Sequence, residues 1–225
     1  MYSVLLSECD CGMKLVCNRL RALIKENSKV VVIAWTFPME LNYEKFEKDF
    51  LNKQRREKYI NALIMLGINQ KNIKFLNCYD TNNFQNFKKY IDESDVMVLT
   101  GGNPEMLYSK VVQDTEILYN IKHYKGIVIG FSAGAELQLK RYFITAKNNY
   151  YKYFAFYDGF GILDDPFYFD VHSINNNSYL NKLKRIANDT KKNVYAIFND
   201  GGLIYNRSNG KIEIYGNVKI FKPTK

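Results

Sequence analysis

The chain has 225 residues, 47% of them hydrophobic and 15% aromatic, with a formal net charge of +9. That length and apolar content suit one globular domain, residues 1–225, and exclude disorder as the main state. No apolar run approaches the roughly 18 residues that a membrane-crossing helix needs. MYSVLLSECD carries no basic leader before its short apolar stretch, so the expectation is a cytoplasmic protein with no membrane partner.

The strands and helices can be read in chain order. SVLLS (3–7) has the texture of a strand, and KLVCNRLRALIKEN, with apolar residues at 16, 20, 23 and 24, that of a helix. KVVVIAW (29–35) predicts a buried strand. A helical pattern runs from Asn42 to about Leu66, with Phe46, Phe50, Ile60, Leu63 and Ile64 on one side. IKFLNCY (73–79) reads as a strand, followed by apolar residues repeating at 84, 87 and 91. DVMVLT (95–100) ends in GGNP, a helical region covers 104–122, and KGIVIGF (125–131) is the next strand. This alternation predicts a parallel sheet covered on both faces. After about residue 150, VYAIFN, GGLIYN, KIEIY and NVKIFK read as short antiparallel strands separated by Asn-Gly, Gly-Gly and Gly-Asn turns.

The positive charge does not specify a nucleic-acid surface. In EKFEKDF, NKQRREK and LKRIANDTKKN the basic residues alternate with Glu, Asp and Asn, the pattern of solvated helix faces and loops. No nucleic-acid partner is expected, whereas acidic small molecules or peptides fit the charge. Cys9, Cys11 and Cys17 begin with C-x-C spacing, and His123 and His172 are the only histidines, so no zinc site is expected. Reduced thiols are expected, with no metal or other cofactor.

VIGFSAGAELQL (128–139) places Ser132 between two glycines, after an apolar strand and before a helical run. Such a bend projects the hydroxyl from the strand end, and the N–H that follows points into the site. Gly130 and Gly134 permit the turn, although a Gly-rich bend that only packs a helix against the sheet has the same pattern. A nucleophilic serine needs a base. His123 sits at a helix end beside lysine, where capping explains it. His172, at the end of an aromatic run and the start of an Asn-rich loop, is the main candidate. An imidazole in turn needs an orienting group. Asp200 suits that role, although Asn-Asp-Gly is also hairpin chemistry, and Asp164, Asp165 and Asp170 compete for it.

With these residues in view, the chain resembles the dipeptidase E and cyanophycinase family of serine peptidases. The stretches that carry the likeness are GFSAGA (130–135), TGGNPEML (100–107), DVHS (170–173) and AIFNDGG (196–202). The resemblance spans most of the chain. It implies a flavodoxin-like or class I glutamine-amidotransferase-like sandwich, with a mainly parallel central sheet and a C-terminal antiparallel meander. It further implies Ser132 as nucleophile, His172 as general base and acid, and Asp200 as the orienting carboxylate. The N–H groups of Gly102 and Ala133 would form the oxyanion hole, with Gly101 adjacent and Asn103 fixing the loop or touching substrate.

Aspartyl dipeptidases of this family bind the acidic side chain of the substrate through arginine on the segment after the histidine. Here that segment offers Lys182 and Arg185, and a lysine lacks the planar fork of an arginine. Glu105 and Glu136 are alternative contacts, for a substrate amino group. The expected activity is hydrolysis of dipeptides or isopeptides through an acyl-enzyme. The alternatives are an amidase or transferase on a related scaffold and a non-catalytic binding homologue. Contact between Asp200 and His172 would favour an enzyme, and a separation beyond hydrogen bonding would favour the binding homologue. The oligomeric state stays open.

Overall fold

Short segments rich in Val, Ile and Leu, each too apolar to face water, line up as the parallel centre of a sheet. In the computed structural model, which describes residues 1–35, 54–76, 85–146 and 151–224, these are β1 (Tyr2–Leu6), β2 (Val30–Ile33), β3 (Ile73–Leu76), β4 (Val96–Leu99) and β5 (Ile127–Phe131). The strand order is β10-β9-β1-β5-β4-β2-β3, and β8 (Tyr168–Asp170) pairs in parallel with β9 (Val194–Asn206). β9 runs antiparallel to both β1 and β10 (Ile212–Phe221).

Alternate residues of the central strands feed two cores, one on each face of the sheet. Val4, Leu6, Val32, Val98 and Ile129 meet α1 (Cys9–Arg21) through Met13, Val16 and Leu20. Leu5, Val31, Ile33, Leu99 and Val128 pack on the opposite side with Trp35, Leu107 and Leu183. The architecture is therefore the expected α/β arrangement, a mainly parallel flavodoxin-like sheet with helices on both faces.

Several expected boundaries move for local reasons. The helical stretch 104–122 breaks into two helices, Pro104–Val112 and Thr115–Lys122. The Asp114 side chain caps the second, accepting from Glu116 N at 2.9 Å and Ile117 N at 3.1 Å. Helix α2 (Gln54–Ile64) buries Tyr59, Ala62 and Leu63, while Ile64 turns outward at 43% exposure. Phe46, Phe50, Cys78 and Phe84 lie outside the described residues.

The C-terminal meander is simpler than expected. The four short strands join into two long ones, and Asn199-Asp200-Gly201-Gly202 is strand interior, not a hairpin turn. Packing explains this: a Cβ at Gly201 would lie 2.2 Å from Asn217 O, so the glycines let the strands approach closely. The pairing is irregular here: between the pairs Ile197–Val218 and Gly201–Gly216, residues 198–200 of β9 lie opposite Asn217 alone, and Gly216 takes φ 62°. An antiparallel pair, β6 (Arg141–Ile144) with β7 (Ala155–Asp158), carried no expectation, and most of the stretch LKRIANDTKKN, read as a solvated helix face or loop, belongs to helix α7 (Asn177–Thr190). No helix among the described residues is long and apolar enough to cross a membrane.

Candidate active site

The site forms where β1, β4 and β5 end, at the carboxyl edge of the sheet, where ligand sites of open α/β folds gather. Ser132 follows β5 with φ 51° and ψ −119°, a conformation L-residues rarely adopt, and a single helical turn, Ala133–Glu136, comes next. Its neighbours must be glycine. A Cβ at Gly130 would come 2.3 Å from Gly134 O, and one at Gly134 would come 2.1 Å from Leu99 O. The bend is tied to the adjacent strand by Ser132 N donating to Leu6 O at 2.8 Å. The close packing that a structural Gly-rich turn would require is present, and the serine hydroxyl nevertheless faces a cleft.

His172 follows β8 and also has a positive φ, 52°. Its Nε2 lies 2.8 Å from Ser132 Oγ. The backbone there is held by an otherwise buried hydroxyl: His172 N donates to Ser7 Oγ at 3.1 Å, and Ser7 Oγ donates to Ile197 O at 2.9 Å. Below it, the fully buried Asp170 carboxylate accepts from Tyr179 Oη at 2.7 Å and from Ser173 Oγ. A polar network inside the core thus fixes the segment that delivers the imidazole.

The group on the far side of the ring is Asn199, whose Oδ1 lies 2.8 Å from His172 Nδ1. An amide oxygen only accepts, so Nδ1 carries the proton and the Nε2 lone pair faces the serine hydroxyl. Asp200 does not occupy the expected place. The ring's partners at Nδ1 are Asn199 and Glu8, and no hydrogen bond or ion pair joins it to Asp200, which follows Asn199 in the irregular stretch of β9 between the pairs Ile197–Val218 and Gly201–Gly216. The competing aspartates are engaged elsewhere: Asp165 accepts from Lys140 N and Arg141 N, Asp164 lies 4.0 Å from Lys140, and Asp170 serves the buried network. The carboxylate near the ring is that of Glu8, with Oε1 3.7 Å from Nδ1.

The GGN loop after β4 also reaches the site. Gly101 N donates to the buried Tyr59 hydroxyl at 3.1 Å, leaving Gly102, at φ 143°, beside Ser132 in the cleft wall. A Cβ on Gly101 would sit 3.2 Å from both Ser132 Cβ and Phe131 O, a tight contact that glycine avoids. Burial pushes the Tyr59 phenol well above the usual range, keeping it neutral. Asn103 caps the following helix, accepting from Glu105 N at 2.9 Å and Met106 N at 3.3 Å.

The cleft has a volume of about 240 Å³ and is lined by Arg55 and Lys58 of α2 together with Glu8 and His172. Lys58 lies 3.5 Å from Glu8 and 3.3 Å from Asp10. Cys9 also lines the cleft, but burial pushes its thiol up to about 12, which removes it as a nucleophile at neutral pH. Cys9, Cys11 and Cys17 are all free thiols.

Lys182 and Arg185 are on the exposed side of α7 and do not line this cleft. Glu105 lines a different groove and Glu136 is buried. His123 occupies the helix end as expected, with Nδ1 2.8 Å from Tyr119 O.

Sequence reasoning therefore missed Ser7, Glu8, Arg55, Lys58, Tyr59 and Asn199. One signal pointed to part of this set: Ser7 and Glu8 stand at the end of a predicted parallel strand.

No family model and no curated protein matches the chain by sequence. Among solved structures, a peptidase from an acI-B1 actinobacterium superposes with a TM-score of 0.65 at 17% identity, covering 99% of this chain and 91% of its own. A candidate Peptidase E from Listeria monocytogenes EGD-e gives 0.63 at 19% identity, covering 96% and 98%. At this identity the likeness is one of fold, and it extends over essentially the whole chain.

Proposed function

We propose that the protein is a serine peptidase of the dipeptidase E kind, hydrolysing short peptides through an acyl-enzyme on Ser132. The observation that carries this reading is the 2.8 Å contact between His172 Nε2 and Ser132 Oγ at a strained bend. That the fold neighbours are a peptidase and a candidate Peptidase E supports it.

In this mechanism Ser132 Oγ attacks the scissile carbonyl carbon while its proton passes to His172 Nε2. The carbonyl oxygen becomes an oxyanion facing the Ala133 and Gly102 N–H groups. As the C–N bond breaks, the imidazolium returns the proton to the leaving amine. Water then attacks the ester, gives its proton to Nε2, and expels Ser132 with that proton restored. The small cleft favours short peptides. Arg55 at its edge suits a substrate carboxylate, taking the place that Lys182 and Arg185 were expected to fill. Free thiols at Cys9, Cys11 and Cys17 accord with work in a reducing compartment such as the cytoplasm.

Loss of the expected Asp200 contact is the one observation favouring a non-catalytic homologue. The Asn199 contact supplies the orienting role instead, as a neutral acceptor. A fluorophosphonate probe and a dipeptide-library screen separate the two readings. The enzyme reading expects covalent labelling and turnover in the native protein, both absent in Ser132→Ala. Native protein that neither reacts with the probe nor cleaves any peptide leaves the binding reading in its place.

A further inference from the structure

We propose that Glu8 supplies the negative charge that stabilises the His172 imidazolium, while Asn199 supplies the hydrogen bond that orients the ring. This rests on the reading of Ser132 and His172 as nucleophile and base. The orienting task and the charge task, ordinarily met by one carboxylate, fall here on two residues far apart in the chain, Asn199 within β9 and Glu8 at the start of α1.

Asn199 is neutral. It can hold the Nδ1–H, at 2.8 Å, but it offers no net charge to the cation that forms when Nε2 takes the serine proton. Among the described residues Glu8 is the carboxylate at ion-pair distance from that ring, 3.7 Å from Nδ1. It is held there. Lys58 lies 3.5 Å from it and is itself 3.3 Å from Asp10, so the glutamate side chain has an anchor on the side away from the imidazole.

The chain trace gives the arrangement a reason. β1 lies between β5 and β9, so its carboxyl end adjoins both the serine bend and the strand bearing Asn199. Three consecutive residues there each hold one part of the site: Leu6 O accepts from Ser132 N, Ser7 Oγ accepts from His172 N, and Glu8 faces Nδ1. The other charged groups around the ring do not substitute for it. Arg55 and Lys58 on α2 are cationic, Cys9 is a neutral thiol, Asp200 makes no hydrogen bond or ion pair with the ring, and Asp170 is committed to Tyr179 and Ser173. Glu8 is accordingly a positioning residue that acts through His172 and touches no reacting atom.

The competing explanation is that Glu8 only pairs with Lys58. The second-order rate of inactivation by a fluorophosphonate reports serine reactivity without any peptide substrate, and melting temperature reports the fold. Glu8→Gln is expected to slow inactivation roughly 10- to 100-fold, the range for one charge at this distance in a half-exposed site shared with a lysine. Its melting temperature should stay close to native, because exposed ion pairs contribute little.

The deciding variant is Glu8→Gln with Asn199→Asp, which moves the carboxylate onto the residue already bonded to Nδ1. It should recover most of the lost rate, whereas loss of a mere Lys58 anchor would not be rescued from position 199. Lys58→Met, which frees Glu8 from its partner, should keep more of the rate than Glu8→Gln does. Full reactivity in Glu8→Gln, or no recovery in the double variant, overturns the proposal while leaving the serine mechanism standing. Native protein that is not labelled, or Ser132→Ala labelled as fast as native, removes both.

Discussion

The bend at Ser132 makes a prediction in which activity and stability move apart. At φ 51° and ψ −119° the serine sits where a side chain costs about 1–3 kcal/mol, a strain that glycine does not feel. Ser132→Gly and Ser132→Ala both remove the nucleophile and the hydrogen bond to His172 Nε2, so that bond cancels when the two are compared. What differs is the Cβ. Alanine keeps the strain; glycine releases it but restores about 0.5–1 kcal/mol of unfolded-chain entropy. The balance favours the glycine variant by roughly 0–2.5 kcal/mol. For a protein of this size about 1 kcal/mol shifts the melting temperature by about 2–4 °C, so the glycine variant should melt up to roughly 10 °C above the alanine variant. Differential scanning calorimetry of the two, both expected to be inactive towards peptides and probe, reads this directly. An alanine variant more stable than the glycine variant would refute the claim that the bend stores strain.

Other outcomes follow from the geometry around that bend. Asp200→Asn should leave turnover within about threefold of native, whereas Asn199→Ala, which removes the group holding the tautomer, should lower kcat by roughly 100-fold or more in a steady-state assay. Arg55→Ala should raise KM selectively for peptides bearing an acidic group, and Lys182→Ala should not; equal effects on acidic and neutral peptides in the library screen would remove Arg55 from substrate recognition. Away from the site, the hydrogen bond from Arg19 holds the Glu213 carboxyl below its ordinary value. A lowered folded-state pKa contributes stability that is complete above the unfolded value near 4.5 and is lost as pH falls through the folded value. The gap between native and Glu213→Gln urea midpoints should therefore be constant near neutrality and close below about pH 4.

The elements legible in the sequence are those whose period or punctuation admits one physical solution. VVVI and VMVL could only be strands buried on both faces, and each is. GFSAGA after an apolar strand could only turn sharply, since Gly130 and Gly134 leave no room for side chains there. His172, one of two histidines in the chain, was findable by elimination. The misreadings came from signals with two meanings. Asn-Asp-Gly-Gly suits a hairpin, but it also suits a strand that must approach Asn217 closely, and pairing with β1 and β10 chose the strand.

By itself the sequence determined the alternating α/β pattern, the placement of a serine at a glycine-flanked bend, and the histidine that could serve it. Those are consequences of local sterics and of side-chain periodicity, which a few neighbouring residues settle among themselves. Only the tertiary structure decided which group meets the far side of the imidazole and which cations border the cleft. Glu8, Lys58, Ser132, His172 and Asn199 come from five separate elements or loops, and only strand order and tertiary packing bring them within bonding distance. Asp200 was the better acid on paper, but it lies in the irregular stretch of β9, where three residues face Asn217 alone and the tertiary packing presents Asn199 to the ring.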